Sequence, residues 1–114
     1  MSREPRAPAN LQVTIQDMVS RIVAQFAPER IILFGSHATG TAAADSDVDL
    51  LVVMYPIESA SRQIAEIRTA LADVPVAKDV VVGTPEYFER HRDVVGTVVW
   101  PAVREGRVLY ERAA

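Results

Sequence analysis

Two aspartates two residues apart, Asp47 and Asp49, stand among aliphatic residues shortly after a Gly-Ser pair. Side chains two apart on a strand point to the same face, roughly 6.6 Å from each other along the strand. At that distance two carboxylates repel each other by about 2.5 kcal/mol at an effective dielectric near 20. Folding does not favour such a pair on a half-buried sheet unless a cation offsets the repulsion. We therefore expect Asp47 and Asp49 to bind Mg²⁺ that carries a nucleoside triphosphate.

The Gly-Ser pair, Gly35-Ser36, ends a short apolar stretch. Glycine allows a sharp turn and leaves room for a phosphate to approach the main chain. The serine hydroxyl can donate to a phosphate oxygen, and successive backbone N–H groups in such a turn can form an anion-binding concavity. Taken alone, the pair is more typical of an ordinary turn at the end of a strand.

A third carboxylate, Asp79, stands in the apolar run Val76-Ala77-Lys78-Asp79-Val80-Val81-Val82. If this strand neighbours the strand of Asp49, three carboxylates converge and can hold two Mg²⁺ ions, which together activate an attacking oxygen and stabilise a leaving pyrophosphate. Asp79 would then also take the proton of the nucleophile. The alternative is a salt bridge with Lys78 or an arginine, or an exposed strand end.

Three other motifs are excluded by single residues. The segment from Gly35 to Gly40 has the glycine spacing of a P-loop, but Thr41 stands in place of the lysine. Asp45, Asp47 and Asp49 mimic the start of an EF-hand loop, but Leu50 replaces its glycine. The dinucleotide-binding pattern of three glycines is absent.

The two histidines are weaker candidates. His37 could touch a phosphate, but a solvated loop histidine is the simpler interpretation. His91 lies between two arginines and is expected at the surface.

Hydrophobic periodicity and caps indicate how these residues are positioned. Apolar residues from Leu11 to Phe26 recur every three or four positions, which predicts a helix with Asn10 as its N-cap, or a capping box at Thr14 and Asp17. It should end before Pro28.

The further expectations are strands at 30–34, 48–54 and 76–82, a helix from Ser59 or Ser61 to Asp73, a helix after Thr84, a helix within 95–105, and an edge strand at 108–110. This order favours a small α/β (α+β) fold with one sheet.

Length and composition restrict the class of protein. The chain has 114 residues, which suits one domain at 10–114 after a flexible lead at 1–9. A net charge of −3 argues against dedicated duplex nucleic-acid binding. There is no cysteine, signal peptide or membrane span, so we expect a cytoplasmic protein. Homo- and hetero-oligomers both remain open.

These residues resemble the minimal nucleotidyltransferases of the polymerase-beta-like superfamily. The signature of that family is Gly-Ser, a short spacer, a glycine, and Ser-Asp-x-Asp-Leu. It appears here as Gly35-Ser36, Gly40 and Ser46-Asp47-Val48-Asp49-Leu50. The strand of Asp79 and the ending Arg104-Glu105-Gly106-Arg107-Val108-Leu109-Tyr110-Glu111 also match. One departure is Thr39, where many members carry an arginine before the second glycine.

The resemblance implies a mixed sheet packed against helices, with Mg²⁺ on Asp47, Asp49 and Asp79 and the triphosphate on Gly35, Ser36, Gly40 and Ser46. It also implies transfer of AMP from ATP to a hydroxyl of a HEPN-domain toxin, so that the protein acts as an antitoxin in a toxin–antitoxin system. Two alternatives remain: a non-catalytic antitoxin that masks a HEPN ribonuclease, and a small-molecule nucleotidyltransferase of the aminoglycoside type.

Overall fold

The sheet has four strands in the order β3-β2-β1-β4. The computed structural model describes residues 8–43 and 45–113, with side chains from residue 11 onward. Along the chain the elements are α1 (Pro8–Phe26), β1 (Arg30–Phe34), α2 (Ser36–Thr39), β2 (Val48–Val53), α3 (Ala60–Ala70), β3 (Lys78–Gly83), α4 (Pro85–His91), α5 (Val99–Glu105) and β4 (Arg107–Glu111).

The sheet is mixed because its strands pair in two ways. β1 runs antiparallel to both β2 and β4, whereas β2 and β3 are parallel and are joined by the crossover helix α3. The C-terminal end of β1 therefore meets the N-terminal ends of β2 and β3 at one edge of the sheet. This architecture confirms the predicted α+β class. It places the Gly-Ser turn after β1 next to the Asp-x-Asp segment at the start of β2.

Each face of the sheet is covered by helices. Alternate side chains of a strand point to opposite faces, so neighbouring strand residues contribute to different clusters. On one face α1 and α3 pack against the strands through buried residues that include Met18, Ile22, Ile67, Leu71, Ile31, Leu33, Leu50 and Val52. On the other face α4 and α5 cover Ile32, Leu51 and Val53 with Phe88, Val99 and Ala102. Each fully buried aliphatic side chain of this kind contributes roughly 1.5–3 kcal/mol.

The first helix begins earlier than the sequence predicts. α1 starts at Pro8, so Asn10 is inside the helix and is not its cap, and the proposed capping box at Thr14 also falls within it. Proline is tolerated in the first turn of a helix because a backbone N–H at that position, which proline lacks, would have no partner within the helix. The end at Phe26 is confirmed. Residues 1–7 of the expected flexible lead lie outside the described residues.

The later helices follow their predicted caps. Ser59 caps α3 by accepting from the Arg62 backbone N–H, and Thr84 caps α4 by accepting from Tyr87. α3 ends at Ala70, three residues before the predicted end, and α5 begins only at Val99. β4 is an edge strand, as predicted. Within the described residues, no helix combines the length and apolar character that crossing a bilayer requires.

Candidate active site

Gly35 forms the turn between β1 and α2. Its φ of 76° lies in the left-handed region, which side chains with a Cβ rarely adopt. A Cβ on this residue would also collide with the carboxylate of Asp49, whose Cγ would be only 3.2 Å away. Glycine is therefore required here both by the backbone conformation and by the close approach of the acid.

Ser36 begins the four-residue helix α2, which Gly40 ends in the left-handed conformation at φ 81°. The backbone N–H groups of Ala38 and Thr39 both donate to the Gly35 carbonyl. The hydroxyl of half-buried Ser36 makes no hydrogen bond to any described residue, so it remains available to a ligand. A Cβ at Gly40 would meet no atom within 4 Å, so the positive φ alone explains this glycine.

The three aspartates come from two neighbouring strands. Asp49 is the second residue of β2 and is paired in register with Asp79 of β3 on one side and with Phe34 of β1 on the other. Asp47 is exposed and immediately precedes β2, which begins at Val48. The expectation that both acids of the Asp-x-Asp pair lie on the strand is thus wrong for Asp47 by one residue.

The carboxyl of Asp49 is influenced by the charges of both other acids. Partial burial raises the pKa of its carboxyl, and the charges of Asp79 and Asp47 raise that pKa further, while His37 opposes them. Because the ionised form of Asp49 is disfavoured by its neighbours, the cluster carries negative charge that a cation would stabilise.

Asp79 has one loose cationic neighbour. The Arg68 Nη1 atom of α3 lies 3.9 Å from Asp79 Oδ1, and both side chains are more than half exposed. Lys78 does not pair with Asp79; its ammonium group donates to the carbonyls of Val74 and Val76, each at 2.9 Å. The alternative of a salt bridge for Asp79 is therefore realised in part, with an arginine.

A cavity of about 460 Å³ adjoins the cluster on the side of α3, lined by Asp47, Arg68, Ala72, Val76, Ala77 and Lys78. In the sheet, β3 with Asp79 lies on one side of β2, and β1 with the Gly-Ser turn lies on the other side. Arg68 of α3 approaches Asp79.

His37 is not the solvated loop residue that the sequence favours. It belongs to α2, is half-buried, and its Nε2 atom lies 3.0 Å from the Ser46 carbonyl oxygen. The Ser46 hydroxyl in turn accepts from the Ala43 backbone N–H at 2.9 Å. Together these bonds tie the segment before Asp47 to the Gly-Ser turn. Its position directly after Ser36 is the signal that could have identified His37.

The donor set suits magnesium. Mg²⁺ prefers oxygen ligands, and proteins usually hold it with one or two carboxylates together with substrate phosphates. Within residues 8–43 and 45–113, no three His, Cys, Asp or Glu side chains are grouped to hold a metal ion by themselves. Two or three neighbouring carboxylates beside a free serine hydroxyl fit an ion that arrives bound to phosphate.

Comparison with known families gives one match that covers most of the chain. The family of the nucleotidyltransferase domain matches residues 16–104, which include the Gly-Ser turn and all three aspartates. A comparison with the curated proteins gave no match.

Solved structures share the fold. A candidate nucleotidyltransferase from Sulfolobus solfataricus aligns with a TM-score of 0.62 and 16% identity, covering 96% of this chain and 94% of that one. The toxin–antitoxin complex MntA–HpeT aligns with a TM-score of 0.61 and 16% identity, over 85% of this chain and 73% of that one. A toxin–antitoxin structure with AMP-PNP aligns with a TM-score of 0.54 and 19% identity, over 85% and 73%. At these identities the likeness concerns the fold.

Proposed function

Because the chain belongs to the nucleotidyltransferase domain family, we propose that it transfers AMP from ATP to a hydroxyl group of a HEPN-type toxin and so acts as its antitoxin. The observation that carries the proposal is the contact of Gly35 with Asp49, which stands in register with Asp79. It brings a free serine hydroxyl and a carboxylate cluster to one edge of the sheet.

Each residue of the edge has a role in this proposal. Gly35, Ser36 and Gly40 form the turn that receives the triphosphate, and Ser46 holds the loop before Asp47 in place through Ala43 and His37. Asp47, Asp49 and Asp79 would hold Mg²⁺, two ions in the full complement. Bound there, the metal would supply charge stabilisation for the phosphate oxygens.

The reaction is a substitution at the α-phosphorus. The acceptor oxygen forms a new bond to that phosphorus, the bond to the bridging oxygen of the β-phosphate breaks, and pyrophosphate leaves. The proton of the acceptor hydroxyl passes to Asp79, which is exposed at the side of the cluster away from the Gly-Ser turn. In this proposal the acceptor approaches on the side of Asp79, and pyrophosphate leaves on the side of Ser36.

Comparison with solved structures supports a protein acceptor and an adenine nucleotide. Structural relatives include toxin–antitoxin complexes, and one of those structures contains AMP-PNP.

The test is incubation of the purified chain with ATP, Mg²⁺ and the candidate HEPN protein, followed by intact-mass spectrometry. We expect the partner to gain one adenylyl group. Asp47→Asn should abolish the gain, while the matched control Asp93→Asn, an exposed acid paired with Arg104, should retain it. Inhibition of the toxin without any mass gain would replace this proposal by an antitoxin that only binds. Unchanged transfer by Asp47→Asn would refute the assigned site.

A further inference from the structure

Arg68 is the cation that faces the carboxylate cluster from α3. It lies in the last turn of the helix, where the partial negative charge of the helix end favours a basic side chain. Its guanidinium approaches Asp79 to 3.9 Å and donates no hydrogen bond to any residue in the described part of the chain. It is thus near enough to attract Asp79 without being anchored.

The other cation beside this cavity differs in that respect. Lys78 is held by two backbone carbonyls, those of Val74 and Val76, and cannot turn toward the acids without losing both bonds. Of the two cations that line the cavity beside Asp47, Arg68 is therefore the one able to move relative to the cluster.

We propose that Arg68 is a positioning residue that competes with a divalent cation for Asp79. Before metal binds, the guanidinium neutralises part of the cluster and draws Asp79 toward α3. A divalent ion displaces it, because the ion has twice the charge and bonds directly to carboxylate oxygen. The inference rests on the proposed function only in taking Asp79 as a metal ligand.

The direction of the effect follows from the charges. Burial and the charges of Asp79 and Asp47 already raise the pKa of Asp49 in this cluster. The nearby guanidinium of Arg68 lowers the attraction of that cluster for a divalent ion. The exposed ion pair between Arg68 and Asp79 is weak enough to open when such an ion binds. Removing the positive charge should therefore strengthen the binding of a divalent ion in the absence of nucleotide, by about threefold.

The experiment measures the binding of Mn²⁺ alone, without nucleotide, from the EPR signal of the free ion. We expect Arg68→Gln to lower the Kd for Mn²⁺ about threefold, and Arg68→Lys, which keeps the charge, to remain near the wild-type value. The matched control is Arg62→Gln, an exposed residue of the same helix. Arg62 is about 9 Å further along the helix axis, roughly one Debye length, so its loss should leave the Kd unchanged.

A second measurement tests whether the effect acts through Asp79. In an Asp79→Asn background, adding Arg68→Gln should change the Kd much less, because the guanidinium then has no carboxylate to compete for. The inference is overturned if Arg68→Gln leaves Mn²⁺ binding unchanged or weakens it, or if its effect is undiminished without Asp79. The Mn²⁺ titration measures no AMP transfer, so its outcome is independent of the proposed function. If the Kd for Mn²⁺ shifts as expected but the protein modifies no partner, only the proposed adenylyl transfer is overturned.

Discussion

Asp49 and Asp79 are direct partners in the parallel register of β2 and β3, although thirty residues and a helix separate them along the chain. Asp49 is the more enclosed of the two, since Gly35 approaches its carboxylate so closely that a methyl group would not fit. The pair places one half-buried and one exposed acid at the same end of the sheet.

The substitution Asp49→Asn should separate activity from stability. We expect transfer to fall more than about a hundredfold, because metal-assisted charge stabilisation contributes several kcal/mol in such reactions. The fold should be retained and its melting temperature slightly raised in EDTA at pH 7, since asparagine removes a charge that burial and two acids disfavour. Transfer assays and thermal unfolding measure the two effects. A lower melting temperature in EDTA would contradict the assignment of Asp49 as a destabilised acid.

The raised pKa of Asp49 also gives a pH dependence of stability. Its pKa in the folded protein exceeds the ordinary value, so the folded state binds this proton more tightly than the unfolded state. The difference in melting temperature between Asp49→Asn and wild type should therefore be largest above the folded-state pKa and shrink as the pH falls through it. Thermal unfolding from pH 7 down to pH 4 in EDTA measures the difference. A gap that widens on acidification would contradict the sign.

Replacing Gly35 by alanine should be more harmful than the same change at Gly96. Both glycines have positive φ, 76° and 99°, so each alanine carries the backbone strain of about 1 kcal/mol. Only at Gly35 does the new Cβ collide with Asp49; nothing lies within 4 Å at Gly96. We expect Gly35→Ala to lose transfer as well as stability, and Gly96→Ala to lose stability alone. Chemical denaturation and transfer assays measure both, and equal activity in the two variants would exclude a role for the Gly35–Asp49 contact.

His37 should matter for nucleotide binding rather than for chemistry. Its Nε2 bond to the Ser46 carbonyl holds the segment before Asp47 against α2. Loss of one such hydrogen bond is worth about 0.5–1.5 kcal/mol, so His37→Ala should raise the KM for ATP roughly two- to tenfold with a smaller change in kcat. The control is the substitution His91→Ala, because His91 lies on α4 and its ring stacks on Tyr87. A fall in kcat at unchanged KM would assign His37 a different role.

The ion pair between Arg21 and Asp73 should make the fold less stable as the pH falls, whereas the charge of Asp49 has the opposite effect. The Arg21 guanidinium donates to Asp73 at 2.5 Å and to the Ala70 carbonyl at 3.2 Å, which joins α1 to the end of α3. This bond lowers the pKa of Asp73, so the stabilisation is present above the ordinary pKa of the acid and is lost as the pH falls through its folded-state value. Asp73→Asn should lower the melting temperature at pH 7 and approach wild type in acid. A difference that is constant with pH would indicate that the pair does not stabilise the fold.

Local patterns carried much of the fold. Three features could be predicted because each depends on residues close in sequence. They are the strand at 30–34, the helix starts at Thr84 and at Ser59 or Ser61, and the edge strand around 108–110. Boundaries without such a signal were less accurate: α1 begins before Asn10 because proline fits the first turn of a helix, and α5 begins only at Val99. The predicted strand after the Gly-Ser loop contains Asp49, but Asp47 stands one residue outside β2.

The sequence by itself determined the family, since the Gly-Ser and Asp-x-Asp motifs each consist of a few consecutive residues. The residue types of these motifs, together with Asp79 in the later strand, also led to the prediction of a phosphate and metal site. Only the tertiary structure decided which groups meet. The parallel register opposes Asp49 to Asp79, the crossover of α3 brings Arg68 to Asp79, and the turn at Gly35 brings His37 to Ser46. These contacts join residues of different segments of the chain, and they depend on strand pairing and helix packing, which no local pattern specifies.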